Sequence, residues 1–419
     1  MALRHEVALG ARLGLMRALL GGVALAGDPL ARVVSGASRR DPYAQYAKMR
    51  GVTRSRVGAL TVGSHALVAS VLRDRRFGVR TTDLSGPEPV AHSPLPGAVE
   101  VGPTFLELDP PDHTRLRRLA QPAFGAGKIA GYRESVTATT HRLLDAALAK
   151  PEFDLIADFA VPLPIAVISD LLGLPPGDDG SFLRYGRALG ASLDGVRSLS
   201  DARNLREATT ALETLFQGLI PERERSPGPD VISTLVGALG RGELTERELI
   251  TTCELLLIAG FETTSNLIGN AVHTFAAHPA EWAALRADPA LAGRAVDEVL
   301  RYQSPVQLTQ RFPHEPVELA GRRIRPDSMV ICLIGGANRD PEVFTDPDRF
   351  TLSRENAGEH LSFSAGIHYC LGAPLARLEG EVALTALAER LPELRPRGRA
   401  RWRRTVVIRG LTRYRLAPA

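Results

Sequence analysis

A single apolar run near residue 260 most constrains how this 419-residue chain can fold. The run begins after Thr245 and Glu248, which show the Thr-x-x-Glu spacing of a capping box at a helix start. It continues to the pair His278-Pro279, where proline ends a helix. A helix of roughly 30 residues is ~45 Å long, which is enough to cross a whole domain. The pattern therefore predicts a large domain built around one central helix.

The middle of this predicted helix, Ala259–Thr264, reads AGFETT and combines small residues with an acid and hydroxyl groups. Adjacent small residues weaken a helix and allow a flat ligand to approach its backbone. A mid-helix threonine can hydrogen-bond a backbone carbonyl and leave room for water, and an acid, a hydroxyl and water can relay protons. The segment is equally compatible with an ordinary buried helix in which Glu262 reaches solvent. Taken alone, it does not separate these interpretations.

A lone cysteine, Cys370, stands in the glycine-punctuated loop Phe363–Gly372, which reads FSAGIHYCLG. The loop leads into a second predicted helix with Pro374 near its start. A helix N-terminus favours a thiolate, and the glycines let the backbone pass close to a large, flat group. A thiolate supported in this way suits one axial bond to a metal better than a four-ligand zinc site.

Composition indicates an ordinary globular protein, with 44% hydrophobic and 23% charged residues. The net charge of +4 comes from scattered basic residues, which does not favour nucleic acid as a partner. Cys253 and Cys332 lie far from Cys370 without Cys-x-x-Cys spacing, so we predict no disulfide framework and a reducing, cytoplasmic location. The longest uncharged N-terminal run, residues 18–27, is about half the length needed to span a bilayer.

The periodicity predicts a mostly α fold with a smaller β portion. Residues 305–334 become β-like, and the tail contains a strand-like run over residues 405–410. No linker divides the chain into independent parts. We therefore predict an amphipathic or loosely ordered extension over residues 1–40 and a single large domain over residues 41–419.

Glu298 and Arg301 lie three residues apart, on one face of a predicted helix. Arg349, in the turn 346–350, could complete a charged network with them. An exposed pair of this kind is common and contributes less than ~1 kcal/mol, so the spacing alone indicates little.

Several basic residues could bind an anion. His113 and Arg117 lie four residues apart on one helix face, which suits a carboxylate or a phosphate. Arg311 is a further candidate donor. Arg115 and Arg118 point elsewhere on the same helix and are available to an acidic partner.

Together these elements resemble the cytochrome P450 superfamily of haem-thiolate monooxygenases, in particular its soluble bacterial members. Phe363–Gly372 is similar to the family's haem loop, and Ala259–Thr264 resembles the oxygen-activation motif of its long central helix. Glu298 and Arg301, with the segment 347–350, resemble its structural Glu–Arg–Arg network. The resemblance covers nearly the whole chain from residue 41. Ser364 is a departure, because the family usually has glycine there.

The resemblance implies a role for each matching residue. Cys370 would be the axial ligand of the haem iron, Phe363 would shield the thiolate, and Glu262 and Thr263 would deliver protons. The remaining haem-binding residues would be His113, Arg117, Arg311 and His368, at the propionates, and Ala259 and Gly260, on the central helix. The structural network would consist of Glu298, Arg301 and Arg349. The substrate pocket would include Leu95, Leu193, Phe261, Leu308 and Ile408.

The implied enzyme contains haem b, uses dioxygen and takes electrons from NAD(P)H through a ferredoxin reductase and a ferredoxin. It would hydroxylate or epoxidise a bulky apolar secondary metabolite, such as a macrolide or polyketide intermediate in antibiotic biosynthesis. One alternative keeps the haem but catalyses oxidative coupling, desaturation or peroxide-driven oxidation. Another is a non-catalytic auxiliary or binding homologue. We expect a monomer without a transmembrane anchor or a nucleic-acid partner.

Overall fold

The computed structural model describes residues 2–38, 40–82, 104–175, 184–185, 188 and 198–418. Helices predominate in these residues and short strands form smaller sheets, which confirms the predicted fold class. The helices are α1 (Ala2–Leu25), α2 (Pro29–Val34), α3 (Tyr43–Tyr46), α4 (His65–Arg73), α5 (Asp112–Ala120), α6 (Ala126–Gly131), α7 (Arg133–Leu148), α8 (Pro162–Leu172), α9 (Leu199–Arg225), α10 (Val231–Gly240), α11 (Glu246–Ala277), α12 (Pro279–Ala287), α13 (Ala292–Tyr302), α14 (Ile334–Ala337) and α15 (Ala373–Arg390). Shorter helical turns are Ala47–Met49, Phe105–Glu107, Gln121–Phe124, Ile156–Ala160, Pro289–Leu291, Ala357–Glu359 and Gly366–His368. The strands are β1 (Thr53–Arg54), β2 (Leu60–Val62), β3 (Phe77–Gly78), β4 (Phe153–Asp154), β5 (Thr309–Pro313), β6 (Val317–Leu319), β7 (Arg322–Ile324), β8 (Val330–Cys332), β9 (Arg395–Pro396), β10 (Arg401–Trp402), β11 (Leu411–Arg413) and β12 (Arg415–Ala417).

The central helix predicted from the apolar run is α11, which has 32 residues. Its capping box is formed, because the Glu248 amide donates to Thr245 Oγ1 (3.2 Å) and the Thr245 amide donates to Glu248 Oε2 (2.8 Å). The helix ends before His278, and Pro279 begins α12. α8 and α15 pack along α11, and most of its middle is buried in the main hydrophobic core.

The main sheet has the strand order β1-β2-β8-β5-β3. β2 runs parallel to β8 with Leu60 opposite Val330, and β5 runs antiparallel to β8 with Thr309 opposite Cys332. The β-like character predicted for residues 305–334 is thus confirmed. Arg311 lies on β5 between two neighbouring strands, and it is buried there.

The strand predicted over residues 405–410 is wrong. β10 and β11 pair with each other, and residues 403–410 form the loop between them. The backbone of this loop bonds across to the segment 305–307 instead, since the Gln307 amide donates to the Val407 carbonyl (2.8 Å) and the Arg409 amide donates to the Pro305 carbonyl (2.7 Å). An apolar run of β-branched residues fits such a buried loop as well as it fits a strand.

Part of the predicted N-terminal extension packs on the rest of the protein. Leu30 and Ala31 of α2 are fully buried, and the Asp28 carboxylate accepts hydrogen bonds from the Ala31 amide (2.8 Å) and the Arg56 amide (2.8 Å). The division of the chain at residue 40 stays a prediction. Within the described part of the chain, none of the helices combines the length and apolar character that crossing a membrane requires.

The charged network lies in the interior and joins α13 to the turn that follows α14. Glu298 and Arg301 are fully buried, and the Arg301 guanidinium donates to both Glu298 oxygens (2.7 and 2.8 Å). The third guanidinium belongs to Arg354, whose Nε lies 3.2 Å from Glu298 Oε2. Arg349, predicted for this place, is exposed and contributes its backbone carbonyl, which accepts from Arg301 (3.0 Å). The third arginine of the network is therefore Arg354 and not Arg349, because the turn directs the Arg354 side chain toward Glu298.

This correction predicts a large difference between two substitutions. Arg354→Gln leaves the buried Glu298 carboxylate short of one cation and also frees the carbonyls of Thr345 and Asp346, to which Arg354 donates (2.7 and 3.1 Å). We expect a loss of roughly 3 kcal/mol or more in the free energy of unfolding, because a buried ion pair is costly to break. Arg349→Gln should cost less than about 0.5 kcal/mol. Guanidinium chloride titrations followed by circular dichroism measure both, and equal losses would refute the assignment.

Candidate active site

The cysteine loop is closed by its own backbone and placed against α15. The Cys370 amide donates to the Phe363 carbonyl (2.8 Å), and α15 begins three residues after the cysteine. The buried Phe363 ring lies beneath the Arg377 guanidinium, whose carbon is 4.7 Å from the ring centroid. Gly366 has a φ of +70°, and a Cβ there would collide with the carbonyl oxygen of Leu72 on α4. This glycine is therefore required by a neighbouring helix, not by a flat ligand.

Burial controls the electrostatics of Cys370. The amides of Gly372 and Ala373 and the Arg117 guanidinium favour the thiolate, yet burial outweighs them and raises the pKa of the thiol above its ordinary value. The helix N-terminus therefore favours the thiolate, as expected from the sequence, but its effect on the pKa is smaller than that of desolvation. A cation bound to the sulfur would have to supply the remaining stabilisation.

Four basic residues predicted to clamp an anion converge beside the cysteine loop. The rings of His113 and His368 are 4.3 Å apart. Arg117 Nη2 donates to the Tyr369 carbonyl (2.6 Å), and Arg311 Nη1 donates to the Gln310 carbonyl (2.8 Å). The structure thus brings His113, Arg117, Arg311 and His368 together, and their predicted role at the haem propionates stays a prediction.

The cluster has unused hydrogen-bonding capacity. Among the described residues, neither ring nitrogen of His113 has a partner, nor does Nε2 of His368, and all three atoms are buried. Burial, with Arg311, His113 and Arg117 nearby, lowers the pKa of His368 to about 3. Neutral imidazoles between two guanidinium groups, with buried nitrogens unpaired, are suited to an anion with several acceptor oxygens.

The middle of α11 presents an open face near Ala259 and Thr263. Ala259 is exposed and Thr263 is partly exposed, although the surrounding helix is buried. Thr263 Oγ1 donates to the Ala259 carbonyl (2.9 Å), as predicted for a mid-helix threonine. Gly260 lies on a different side, where an added Cβ would lie 2.8 Å from Ile168 of α8. This glycine allows two helices to approach, and its predicted contact with the haem stays a prediction.

Glu262 does not reach solvent, so that alternative is excluded. Its side chain is 1% exposed and forms an ion pair with Arg403, whose Nη2 also lies 3.3 Å from Glu262 Oε2. Arg403 was not predicted from the sequence, because it lies in an arginine-rich tail where no local signal distinguishes it. Consecutive positions on a helix point about 100° apart, so Glu262 and Thr263 occupy different faces.

The predicted pocket residues do not converge on one open surface. Phe261 is buried in the main core around α11, whereas Leu308 packs in a separate cluster with Leu30 and Leu333. Ile408 is also buried and forms an isolated bridge with Val306. Phe261 is thus a core residue, and its predicted role as a pocket wall is corrected. Leu95 and Leu193 lie outside the described residues.

Known proteins of one family are similar to this chain. The family model "Cytochrome P450" matches residues 198–392. Cytochrome P450 107B1 of Saccharopolyspora erythraea is 42% identical over 76% of this chain and 78% of its own length. The chain belongs to the cytochrome P450 family. The P450 monooxygenase PikC of Streptomyces venezuelae is 38% identical over 88% of this chain and 89% of its own length. The structure of PksS, the P450 of the bacillaene polyketide synthase of Bacillus subtilis 168, has 31% identity and a TM-score of 0.81, with 91% of this chain and 98% of PksS covered.

The chain is therefore a P450 monooxygenase, and the family implies haem with a thiolate ligand and dioxygen as co-substrate. The residues present fit that cofactor. Cys370 supplies one sulfur, and the buried, unpaired ring nitrogens of His113 and His368 would form hydrogen bonds to the carboxylates of the haem. Ala259, exposed in the middle of an otherwise buried helix, leaves space for a flat group.

The backbone conformation at Ser364 accounts for the glycine that is usual in the family at this position. Its φ is +62°, in the left-handed region that glycine adopts without strain, and its Oγ is buried without a partner among the described residues. The glycine usual in the family at this position is thus a backbone requirement. Ser364 meets the same geometry at an energetic cost of ~1–2 kcal/mol.

We expect Ser364→Gly to stabilise the protein by about 1 kcal/mol. The substitution relieves the strained φ and removes the buried, unpaired hydroxyl, and these gains exceed the entropic cost of the more flexible unfolded chain that glycine gives. The free energy of unfolding of the haem-loaded protein measures this change. Ser353→Gly is the control, because Ser353 is exposed and has no positive φ. It should be destabilising or neutral, and equal gains in both variants would contradict the assignment.

Proposed function

We propose that this P450 is a ferredoxin-dependent monooxygenase that hydroxylates or epoxidises a bulky apolar secondary metabolite. When bound, haem with a thiolate ligand supplies dioxygen activation, for which two electrons come from an external donor. Support for the substrate class comes from PksS, which its name places in a polyketide synthase system. A macrolide or polyketide intermediate is therefore the substrate class that we propose.

The observation that carries the monooxygenase reaction is the acid–alcohol pair on α11. Thr263 presents its hydroxyl at the open face beside Ala259, and its Oγ1 is held at the Ala259 carbonyl. Glu262 is the adjacent acid and is kept in place by Arg403. We propose that Thr263 holds a proton at Oγ1 and that Glu262 replenishes it through water. Peroxide-driven oxidation would not need this pair.

Cys370 would bind the iron, and His113, Arg117, Arg311 and His368 would hold the haem carboxylates. Phe363 would limit access of water to the sulfur, since its ring is buried beside the loop and covered by Arg377.

The proposed electron donor is a small acidic ferredoxin. Ile367 and Tyr369 are exposed on the cysteine loop (38% and 42%), and Arg118 is exposed nearby on α5. Arg115, predicted as a second docking charge, instead binds Glu248 of α11, so it is not available to a partner. An apolar patch with a basic rim fits an acidic partner with which the encounter is brief and steered by charge.

The first test is the absorption spectrum of the reduced, carbon monoxide-bound protein. We expect wild type to show the strongly red-shifted Soret band of a thiolate-ligated haem and Cys370→Ala to lose it, because this variant has no sulfur at the loop. Cys332→Ala should keep the band, since Cys332 is buried in β8. Absence of the band in folded, haem-loaded wild type would refute the proposed function.

The second test concerns proton delivery. Thr263→Val removes the hydroxyl at the open face while keeping the side-chain shape, and we expect product formed per NAD(P)H consumed to fall roughly tenfold or more. Thr264→Val is the matched control, because Thr264 is buried and its Oγ1 donates to the Gly260 carbonyl (3.0 Å). The measurement uses a ferredoxin–reductase pair and a compound chosen for its low-to-high spin shift. Unchanged coupling in Thr263→Val would contradict the role of Thr263.

A further inference from the structure

The ion pair between Glu262 and Arg403 joins the central helix to the C-terminal tail. Arg403 Nη1 is paired with Glu262 Oε1, and Nη2 lies 3.3 Å from Oε2. The two side chains are 1% and 11% exposed. Because a buried charge is costly without its partner, each of these side chains fixes the position of the other.

Arg403 begins a loop, residues 403–410, whose far end is held by the same face of α11. The Asn270 side chain donates to the Arg409 carbonyl (3.1 Å), and Gly410 packs so closely on Asn266 that a Cβ there would collide with it. Glu262, Asn266 and Asn270 are spaced by four residues, so they form one stripe along the helix. Both ends of the loop are therefore attached to that stripe.

The middle of the loop is attached to the segment 305–307, which precedes β5. Ile408 bridges to Val306, and the Gln307 amide donates to the Val407 carbonyl (2.8 Å). This segment continues directly into β5, which carries Arg311 of the anion clamp. The loop therefore connects α11, at the stripe beside Thr263, to the segment that leads into β5 and Arg311.

We propose that Arg403 is a positioning residue for proton delivery at Thr263, and that its ion pair with Glu262 also fixes the 403–410 loop between α11 and the segment 305–307. Without the Arg403 guanidinium, the Glu262 carboxylate loses the partner that fixes its position, and the near end of the loop loses its attachment to α11. The inference rests on the proposed function, because it takes Glu262 and Thr263 to handle protons. Arg403 acts only through Glu262.

The experiment compares haem-loaded wild type, Arg403→Gln, Arg403→Lys and Arg401→Gln in a ferredoxin–reductase system. Arg401 is the matched control, because it is an exposed arginine on β10 two residues before Arg403. The readouts are dioxygen consumption without added substrate, its solvent deuterium isotope effect, and hydrogen exchange at the amides of Gln307 and Arg409. The exchange measurement requires neither electron transfer nor an identified substrate.

We expect Arg403→Gln to slow dioxygen consumption roughly tenfold, to increase the isotope effect about twofold and to accelerate exchange at both amides at least about tenfold. Arg403→Lys should give values between these and wild type, since it keeps the charge but loses the fork geometry. Arg401→Gln should match wild type.

Faster exchange with an unchanged isotope effect would overturn the proposal, because Arg403 would then only hold the loop. Wild-type values for all readouts in Arg403→Gln would overturn it as well. If Arg403→Gln does not retain haem, Arg403→Lys decides the question by the same criteria. Failure of the proposed function is distinct, since wild type would then lack the thiolate band or ferredoxin-supported dioxygen consumption.

Discussion

Burial of basic side chains around the cysteine loop is the constraint on which the rest of this structure depends. His113, Arg117, Arg311 and His368 meet beside Cys370, and the imidazole nitrogens that lack partners are shielded from water. Leaving such groups unpaired in an interior costs ~1–3 kcal/mol each. The cluster is therefore suited to an anion with several acceptor oxygens, and the two carboxylates of haem would meet that requirement.

Desolvation also acts on the thiol of Cys370. The start of α15 and Arg117 favour a thiolate at Cys370, but burial is the larger effect. Desolvation raises the pKa of this thiol, so a cation bound to the sulfur would favour loss of its proton. In the proposed site the protein would contribute the position of the sulfur, and the iron would contribute the charge that stabilises its thiolate form.

Local signals in the sequence predicted the parts of the site that are local in the chain. The capping box at Thr245, the cysteine loop and the pair Glu298–Arg301 depend on residues a few positions apart, and spacing is enough to find them. Assignments that depend on which way a side chain turns were harder. Arg349 and Arg354 lie in the same short segment, and only the folded turn shows that the second points at Glu298.

Distant contacts could not be predicted in this way. Arg403 meets Glu262 across 141 positions of sequence, and neighbouring arginines of the tail look identical to it in the sequence. The role of each glycine could not be predicted for a related reason. A glycine indicates that some group approaches the backbone closely, but the sequence does not show which group that is. At Gly366 the group is the backbone of α4, and at Gly260 it is Ile168.

The contact at Gly260 has a consequence for how related enzymes can diverge. It sets the spacing between α8 and α11, so the volumes at positions 168 and 260 are linked. A lineage that gains a larger residue at 260 must lose volume at 168, or else spread the two helices. Paired substitutions at these positions are thus a route by which the spacing of α8 and α11 can change while Glu262, Thr263 and Arg403 stay the same.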